Sequence, residues 1–262
     1  MSAEAFSHLR LAAFKKPGFT SHLSAWEGHI PFALWCMERL HPRIFVELGT
    51  HVGSSYFAFC QSVDMHKTGT QCFAVDTWQG DAHSGAYDDA IFKSVNGHNR
   101  EHYAGFSHLL RMTFDEALGQ FADGSVDLLH IDGFHTYEAV RHDFETWLPK
   151  MSDRGVVLFH DSNVFENGFE VWRLMRELDV RYPHFHFLHS FGLSMFTLTE
   201  NAPEEARWMT ALSTPESDAW RQIFSRLGEA TTKEVIFPPE RSLIAHAIRS
   251  FRIKILRQTW IP

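Results

Sequence analysis

The sequence predicts an α/β fold: an open, doubly wound and mostly parallel sheet with helices on both faces, followed by a purely helical C-terminal stretch. Three observations carry this expectation. The first is the block 126–163, VDLLHIDGFHTYEAVRHDFETWLPKMSDRGVVLFHDSN, which reads as strand, loop, helix, turn, strand, loop. Its two strands, 126–131 and 156–159, are short apolar runs of the kind buried on both faces. They end in polar clusters, Asp132/His135 and His160/Asp161. The second is 44–55, IFVELGTHVGSS, a strand that passes through a glycine turn into a helix. The third is 72–75, CFAV, a short apolar strand closed by Asp76. Ligands of open α/β sheets bind beyond the carboxyl ends of the strands, so these polar residues should share one rim.

Bulk properties narrow the function. A chain of 262 residues suits one α/β domain with additions, and 44% hydrophobic residues with eight tryptophans can fill a sizeable core. A net charge of −8 argues against a general nucleic-acid binder, because phosphate neutralisation needs clustered Lys and Arg. Cys36, Cys60 and Cys72 sit in apolar segments without metal-ligand spacing and read as reduced core thiols of a cytoplasmic protein. Residues 1–20 lack the apolar core of a signal peptide, and no apolar run reaches the roughly 18 residues of a membrane span.

In chain order, 1–23 reads as an N-terminal arm or short helix, with Lys15, Lys16, Pro17 and Gly18 in its second half. Residues 24–40 read as an amphipathic helix and its entry, stopped by His41 and Pro42. Trp26 and His29 there either line a site or simply cover the sheet. In the strand–turn–helix unit that follows (strand 44–48, helix 54–63), Gly49 and Gly53 permit a tight turn and close approach of a ligand. The helix N-terminus behind them offers free N–H groups. The pattern E-x-G-x-x-x-G-S is not the dinucleotide fingerprint and lacks the lysine of a phosphate loop. Glu47 would repel a pyrophosphate and suits a ligand carrying positive charge.

Asp76 is well placed to accept hydrogen bonds from ribose hydroxyls. The segment 77–87 reads as a lid or substrate loop, or else as an exposed connection. A helix over 88–99 and a strand over 106–111 precede a helix over 113–121, where Thr113 and Glu116 form a capping box. Met112 and Thr113, between that strand and helix, would flank a nucleoside base. The helix at 136–150 carries an apolar stripe of Tyr137, Val140, Phe144, Trp147 and Leu148. Asp132 could merely cap this helix, His135 could be a structural histidine, and His130 reads as a core residue. His142 and Asp143, on the covering helix, carry no assigned chemistry. A helix over 169–180 and a hairpin of 186–189 with 193–198 complete the domain, 24–200. The rest, 201–262, reads as a helical extension with helices near 204–212, 215–228 and 239–258. The last is basic and amphipathic, a pattern that binds an anionic membrane surface or a partner, or packs on the domain or a twin subunit.

Taken together, Glu47-x-Gly49-x-x-x-Gly53-Ser54, Asp76 after its strand, the run 129–137 (LHIDGFHTY) and the run 159–161 (FHD) resemble class I S-adenosylmethionine-dependent methyltransferases. More narrowly, 24–200 resembles the small-molecule O-methyltransferase-like group found beside or fused to glycosyltransferases. It is also similar to the metal-dependent sugar O-methyltransferases of macrolide and aminocoumarin biosynthesis. The resemblance implies a Rossmann-like seven-stranded sheet of order 3-2-1-4-5-7-6 with strand 7 antiparallel. It implies S-adenosylmethionine as cofactor, held by Glu47, Gly49, Gly53, Ser54, Asp76 and Asp132, with Met112 and Thr113 on the base side. It implies Mg²⁺ or another divalent cation on Asp132 and Asp161, with His160 where these families often carry a second acid. Imidazole is a softer ligand than Mg²⁺ prefers. His135 matches the catalytic base.

The implied reaction is O-methylation of a sugar, glycan or glycosylated small molecule. A sugar hydroxyl is a poor nucleophile at neutral pH, so the chemistry needs a base, a Lewis acid, or both. The chain could form a homo-oligomer or engage a glycosyltransferase through its C-terminal helices. Two other readings stay open: a non-catalytic module of this fold that organises a glycan-assembly complex, and a metal-dependent hydroxylase-like branch. A nucleotide-dependent oxidoreductase fits Asp76 but neither the glycine pattern nor Glu47.

Overall fold

The computed structural model describes residues 8, 11–21, 25–81, 85–86 and 88–232. Seven strands form the central sheet: β1 (Ile44–Leu48), β2 (Gln71–Asp76), β3 (Ser107–Arg111), β4 (Val126–Ile131), β5 (Met151–His160), β6 (His184–Phe187) and β7 (Leu193–Thr197). Their spatial order is β3-β2-β1-β4-β5-β7-β6. The pairs among β1 to β5 are parallel, and β7 runs antiparallel to both β5 and β6. This is the expected doubly wound architecture, in the order implied by the resemblance.

Helices α1 (Ile30–Leu40), α2 (Ser54–His66), α3 (Asp89–His102), α4 (Phe114–Ala117), α5 (Tyr137–Trp147), α6 (Val171–Leu178), α7 (Glu204–Thr210) and α8 (Thr214–Thr232) surround the sheet. Short 3-10 turns at Leu11–Phe14 and Ala25–His29 precede α1. Successive side chains of a strand point to opposite faces, which sorts the core into two clusters. Phe45, Leu128, Val156 and Leu158 face α1, α2, α7 and α8. Val46, Leu48, Leu129, Ile131, Val157 and Phe159 face α4, α5 and α6. The three cysteines are free and buried, as expected.

The structure departs from the sequence reading in three places. First, β5 begins at Met151, because Val126 of β4 pairs with it across an irregularity before Leu128. Polar Ser152, Asp153 and Arg154 hide that first half from a search for apolar runs. Second, α1 is buried nearly all round rather than on one face. Its outer side is covered by α8, whose Phe224 ring lies 5.8 Å from Phe32 and 6.2 Å from Trp35. Third, Ala206, Met209, Trp220 and Phe224 therefore belong to the first core cluster, so the segment through 232 packs as part of the domain rather than as an appendage.

The helix expected at 239–258 lies outside the described residues. Within 77–87, the pairs 80–81 and 85–86 form a two-residue antiparallel ladder, and 82–84 and 87 lie outside the described residues. Among the described residues no helix is long and apolar enough to cross a membrane.

Candidate functional site

The site begins where β1 turns into α2. Gly49 donates to the Val75 carbonyl at 2.9 Å, and Asp132 donates to the Leu48 carbonyl at 2.8 Å, so the turn is stitched between β2 and β4. Gly49 has φ +86°, and a Cβ there would lie 2.1 Å from the backbone oxygen of Asp132. Only glycine fits on both counts. Gly53, also at φ +86°, is the N-cap of α2 and leaves the first N–H groups of the helix open. Thr50 Oγ1 and Ser54 Oγ are buried in this turn without a hydrogen-bond partner among the described residues. Buried hydroxyls left unpaired are costly, so this cradle fits a polar ligand group.

Asp76 closes the turn from β2. Its Oδ2 accepts the Thr50 and His51 N–H groups at 2.9 Å each, and its Oδ1 accepts the Trp78 N–H at 2.6 Å. A carboxylate has roughly four acceptor sites, so about one is left for a ligand donor. The side chain thus shapes the turn as well as facing the rim.

Two cavities meet at this turn. One of about 260 Å³ is lined by Gly49, His51, Asp76, Thr113, Phe114, Asp132 and Gly133, among others. The other, about 540 Å³, is lined by Thr50, Ser54, Asp132, His135, His160 and Asp161, with the aromatic rings of Trp26, Phe165, Phe169 and Phe191. Gly49, His51, Asp132 and Gly133 line both.

In the larger cavity the ends of β4 and β5 converge. His135 Nε2 lies 2.8 Å from Asp161 Oδ2 and 3.8 Å from Asp132 Oδ1. His160 Nδ1 lies 3.3 Å from Asp132 Oδ1 and 3.2 Å from Asp161 Oδ2. One ligand atom each from Asp132, His135 and Asp161 fall within 4.8 Å of one another. Asp161 takes a left-handed backbone conformation, φ +54°, immediately after β5, and such strain concentrates at functional sites.

Every ring in the cluster is fixed. The His135 ring stacks on Phe169 at 4.3 Å and 12°. His160 Nε2 donates to the Ser190 carbonyl at 3.1 Å, and His29 Nε2 donates to the same oxygen at 3.2 Å.

The electrostatics follow from two acids facing two imidazoles. Burial opposes an imidazolium at His135, but hydrogen bonds to Asp132 and Asp161 outweigh it and push its pKa up to about 9. His160 is raised in the same way: burial opposes its charge, and Asp132 and Asp161 overcome that. Burial likewise opposes the carboxylates, yet the neighbouring His160 and His135 hold Asp132 and Asp161 below the usual range. A donor set of two carboxylates with imidazole nitrogen fits a divalent cation. It suits Mn²⁺, Fe²⁺ or Zn²⁺ better than Mg²⁺, which prefers oxygen ligands throughout.

Three expected site residues, Glu47, Gly53 and Met112, lie outside both linings; Gly53 caps α2 behind the turn. Glu47 is fully buried one layer beneath the turn, with Oε2 2.9 Å from His130 Nδ1. Met112 packs against the second core cluster instead of facing the cavity. Phe114 takes the lining position expected for it, while Thr113 both lines the cavity and caps α4 with Glu116. Phe165, Phe169 and Phe191 also line the larger cavity, reaching it from loops whose course no local sequence pattern fixes. Trp26 does line the larger cavity, and His130 is a core residue, as expected, although a hydrogen-bonded one.

Residues 46–162 match the family model described as a methyltransferase domain. The S-adenosylhomocysteine-bound methyltransferase PaMTH1 of Podospora anserina is similar with a TM-score of 0.50 and 13% identity, covering 75% of this chain and 88% of that one. Cofactor-bound Rv0187 from MTB gives 0.51 and 14%, covering 76% and 92%. These likenesses establish the fold, the seven-stranded Rossmann-like arrangement of class I methyltransferases. The uncharacterized protein y4gI of Sinorhizobium fredii (strain NBRC 101917 / NGR234) is 46% identical over 229 residues, 87% of this chain and 25% of that protein. The chain thus spans about a quarter of that relative's length.

Proposed function

We propose that this chain transfers the methyl group of S-adenosylmethionine to a hydroxyl of a sugar, glycan or glycosylated small molecule, with a divalent cation and His135 assisting. The observation that carries this reading is the position of Asp132, which lines the cavity at the glycine turn and the larger cavity holding His135, His160 and Asp161.

In this reading the smaller cavity takes the nucleoside part of the cofactor. Asp76 offers its remaining acceptor site to the ribose, and Thr113 and Phe114 border the base. Gly49 lets the cofactor approach the backbone. Thr50 Oγ1, Ser54 Oγ and the open N–H groups of α2 receive its polar end, which satisfies the two buried hydroxyls. Glu47 acts from beneath the turn, where its contact with His130 ties β1 to β4 under the cofactor.

Asp132 and Asp161 would hold the cation, with His160 Nδ1 directed between them. Bound there, the cation would lower the pKa of the acceptor hydroxyl and orient it. A cation held by Asp132 and Asp161 would offset the negative charge that keeps His135 protonated, and the neutral ring, stacked on Phe169, would then take up the hydroxyl proton. Phe165 and Phe191 expose their rings at the cavity mouth, 62% and 56% accessible. Apolar platforms of this kind suit the C–H face of a sugar ring, which supports the choice of acceptor class. Methyl transfer is an in-line displacement, so holding nucleophile and methyl near contact is the enzyme's main contribution.

The test is a transfer assay with radiolabelled S-adenosylmethionine against panels of sugar nucleotides, oligosaccharides and glycosides, in Mn²⁺ or Mg²⁺ and in EDTA. The reading expects label in a glycosyl acceptor, lost with EDTA. Transfer only to non-glycosyl phenols or carboxylates would contradict the acceptor assignment.

A further inference from the structure

We propose that Asp179, His184 and His186 form a second metal site, of Zn²⁺ type, at the edge of the sheet and independent of the active-site reading above. The residues come from two adjoining elements. Asp179 follows α6, and His184 and His186 stand two apart on β6. Residues two apart on a strand share a face, so both imidazoles project together while Phe185 and Phe187 are buried on the other side. β6 is the last strand of the sheet, which leaves this corner open to solvent.

The geometry converges on one carboxylate oxygen. Asp179 Oδ1 lies 3.0 Å from His186 Nε2 and 3.7 Å from His184 Nδ1. One ligand atom from each of the three residues lies within 4.8 Å of the others. Zinc bonds to nitrogen and oxygen are about 2.0–2.1 Å, so tetrahedral ligands stand roughly 3.4 Å apart. The two distances from Asp179 Oδ1 lie either side of that value.

The surroundings match a metal site as well. His186 Nδ1 is 2.7 Å from Ser194 Oγ, its cross-strand partner. A hydroxyl can donate or accept, so Ser194 can serve either tautomer of His186, including the one with Nε2 free for a cation. His184 Nδ1 also lies 3.1 Å from the Tyr182 carbonyl; a cation would take the place of that hydrogen bond, with the ring proton carried on Nε2 and Nδ1 free to ligate.

Two imidazoles and one carboxylate form the donor set of zinc-type ions rather than Mg²⁺ or Ca²⁺. The fourth position faces a cavity of about 500 Å³ bordered by Thr210, Ser217 and Arg221. Arg221 does not compete for the acid of the site, because it donates to Asp218 at 2.8 Å and to the His186 carbonyl at 2.7 Å. A cation here would tie the end of α6 to the edge strand.

The test uses the full chain, stripped with EDTA and titrated with Zn²⁺ by calorimetry and with Co²⁺ by visible absorption. The double variant Asp132→Asn/Asp161→Asn removes the acids of the active-site cluster. In that background we expect one Zn²⁺ equivalent to remain and Co²⁺ to give the intense d–d bands of a tetrahedral site. Adding His184→Ala, a partly exposed position, should weaken binding at least tenfold while the circular dichroism spectrum is kept. Asp179→Asn gives a second, independent loss. Absence of Zn²⁺ binding in the double variant, or binding unchanged by both His184→Ala and Asp179→Asn, would overturn the proposal.

Discussion

Glu47 and His130 are register partners on β1 and β4, and His130 Nδ1 lies 2.9 Å from Glu47 Oε2 with both side chains fully buried. Trp26 completes the chain by donating its Nε1–H to His130 Nε2 at 3.2 Å. That donation makes Nε2 the acceptor, so the neutral ring carries its proton on Nδ1 and donates to Glu47. Burial raises the Glu47 pKa, and His130 opposes the rise.

Removing His130 would therefore leave a buried carboxylate without its partner. We expect His130→Ala to cost about 2–4 kcal/mol in urea unfolding, from the unsatisfied buried acid and the cavity left behind. Trp26→Phe, which keeps the ring and loses the N–H, should cost about 1 kcal/mol. Equal small losses from both would contradict a coupled chain.

The glycine turn makes a second prediction. Gly49→Ala must accommodate φ +86° and a backbone oxygen 2.1 Å from the new Cβ. We expect a melting temperature well below wild type and no binding of S-adenosylhomocysteine. Ser54→Ala should fold normally and lose about fivefold in affinity, the worth of roughly one hydrogen bond. Wild-type affinity in Ser54→Ala would remove that hydroxyl from the site.

A third prediction concerns the opposite end of the sheet. Burial works against the Asp127 carboxylate, but hydrogen bonds from Arg43 and Ser152 outweigh it and hold its pKa at about 2. A carboxylate held below its unfolded value adds stability above pH ~4, and the gain is lost as pH falls through 2. Arg43 is largely exposed, so the contribution is discounted to roughly 1–2 kcal/mol. Asp127→Asn should lower stability at pH 7 and flatten its dependence between pH 4 and 2. An unchanged slope would contradict the assignment.

The chemical roles separate cleanly by variant. His135→Ala should cost at least 100-fold in turnover with S-adenosylhomocysteine affinity kept within about threefold. Asp161→Asn should abolish the response of activity to added metal. Loss of cofactor binding in step with turnover in His135→Ala would remove it from the base role.

Much of this was readable in the chain, and the boundary is physical. Buried parallel strands are continuous apolar runs, so β1, β2, β4 and the second half of β5 stood out, and Asp76, Asp132 and Asp161 marked the ends of the last three. Local capping was equally legible: Thr113 and Glu116 form the expected box. What stayed hidden depends on contacts distant in sequence. Glu47 reads as a ligand-facing acid until His130, 83 residues on, is found opposite it. α1 reads as amphipathic until α8 covers its outer side. Phe114 sits one residue beyond the expected pair and lines the smaller cavity, while Met112 does not. Phe165 and Phe191 come from loops, where no periodicity fixes direction.

The most direct measurement is calorimetric titration of the purified chain with S-adenosylhomocysteine, with and without Mn²⁺ and EDTA. We expect one site of micromolar affinity that survives EDTA and is lost in Gly49→Ala. No binding by well-folded protein in any of these conditions would contradict it.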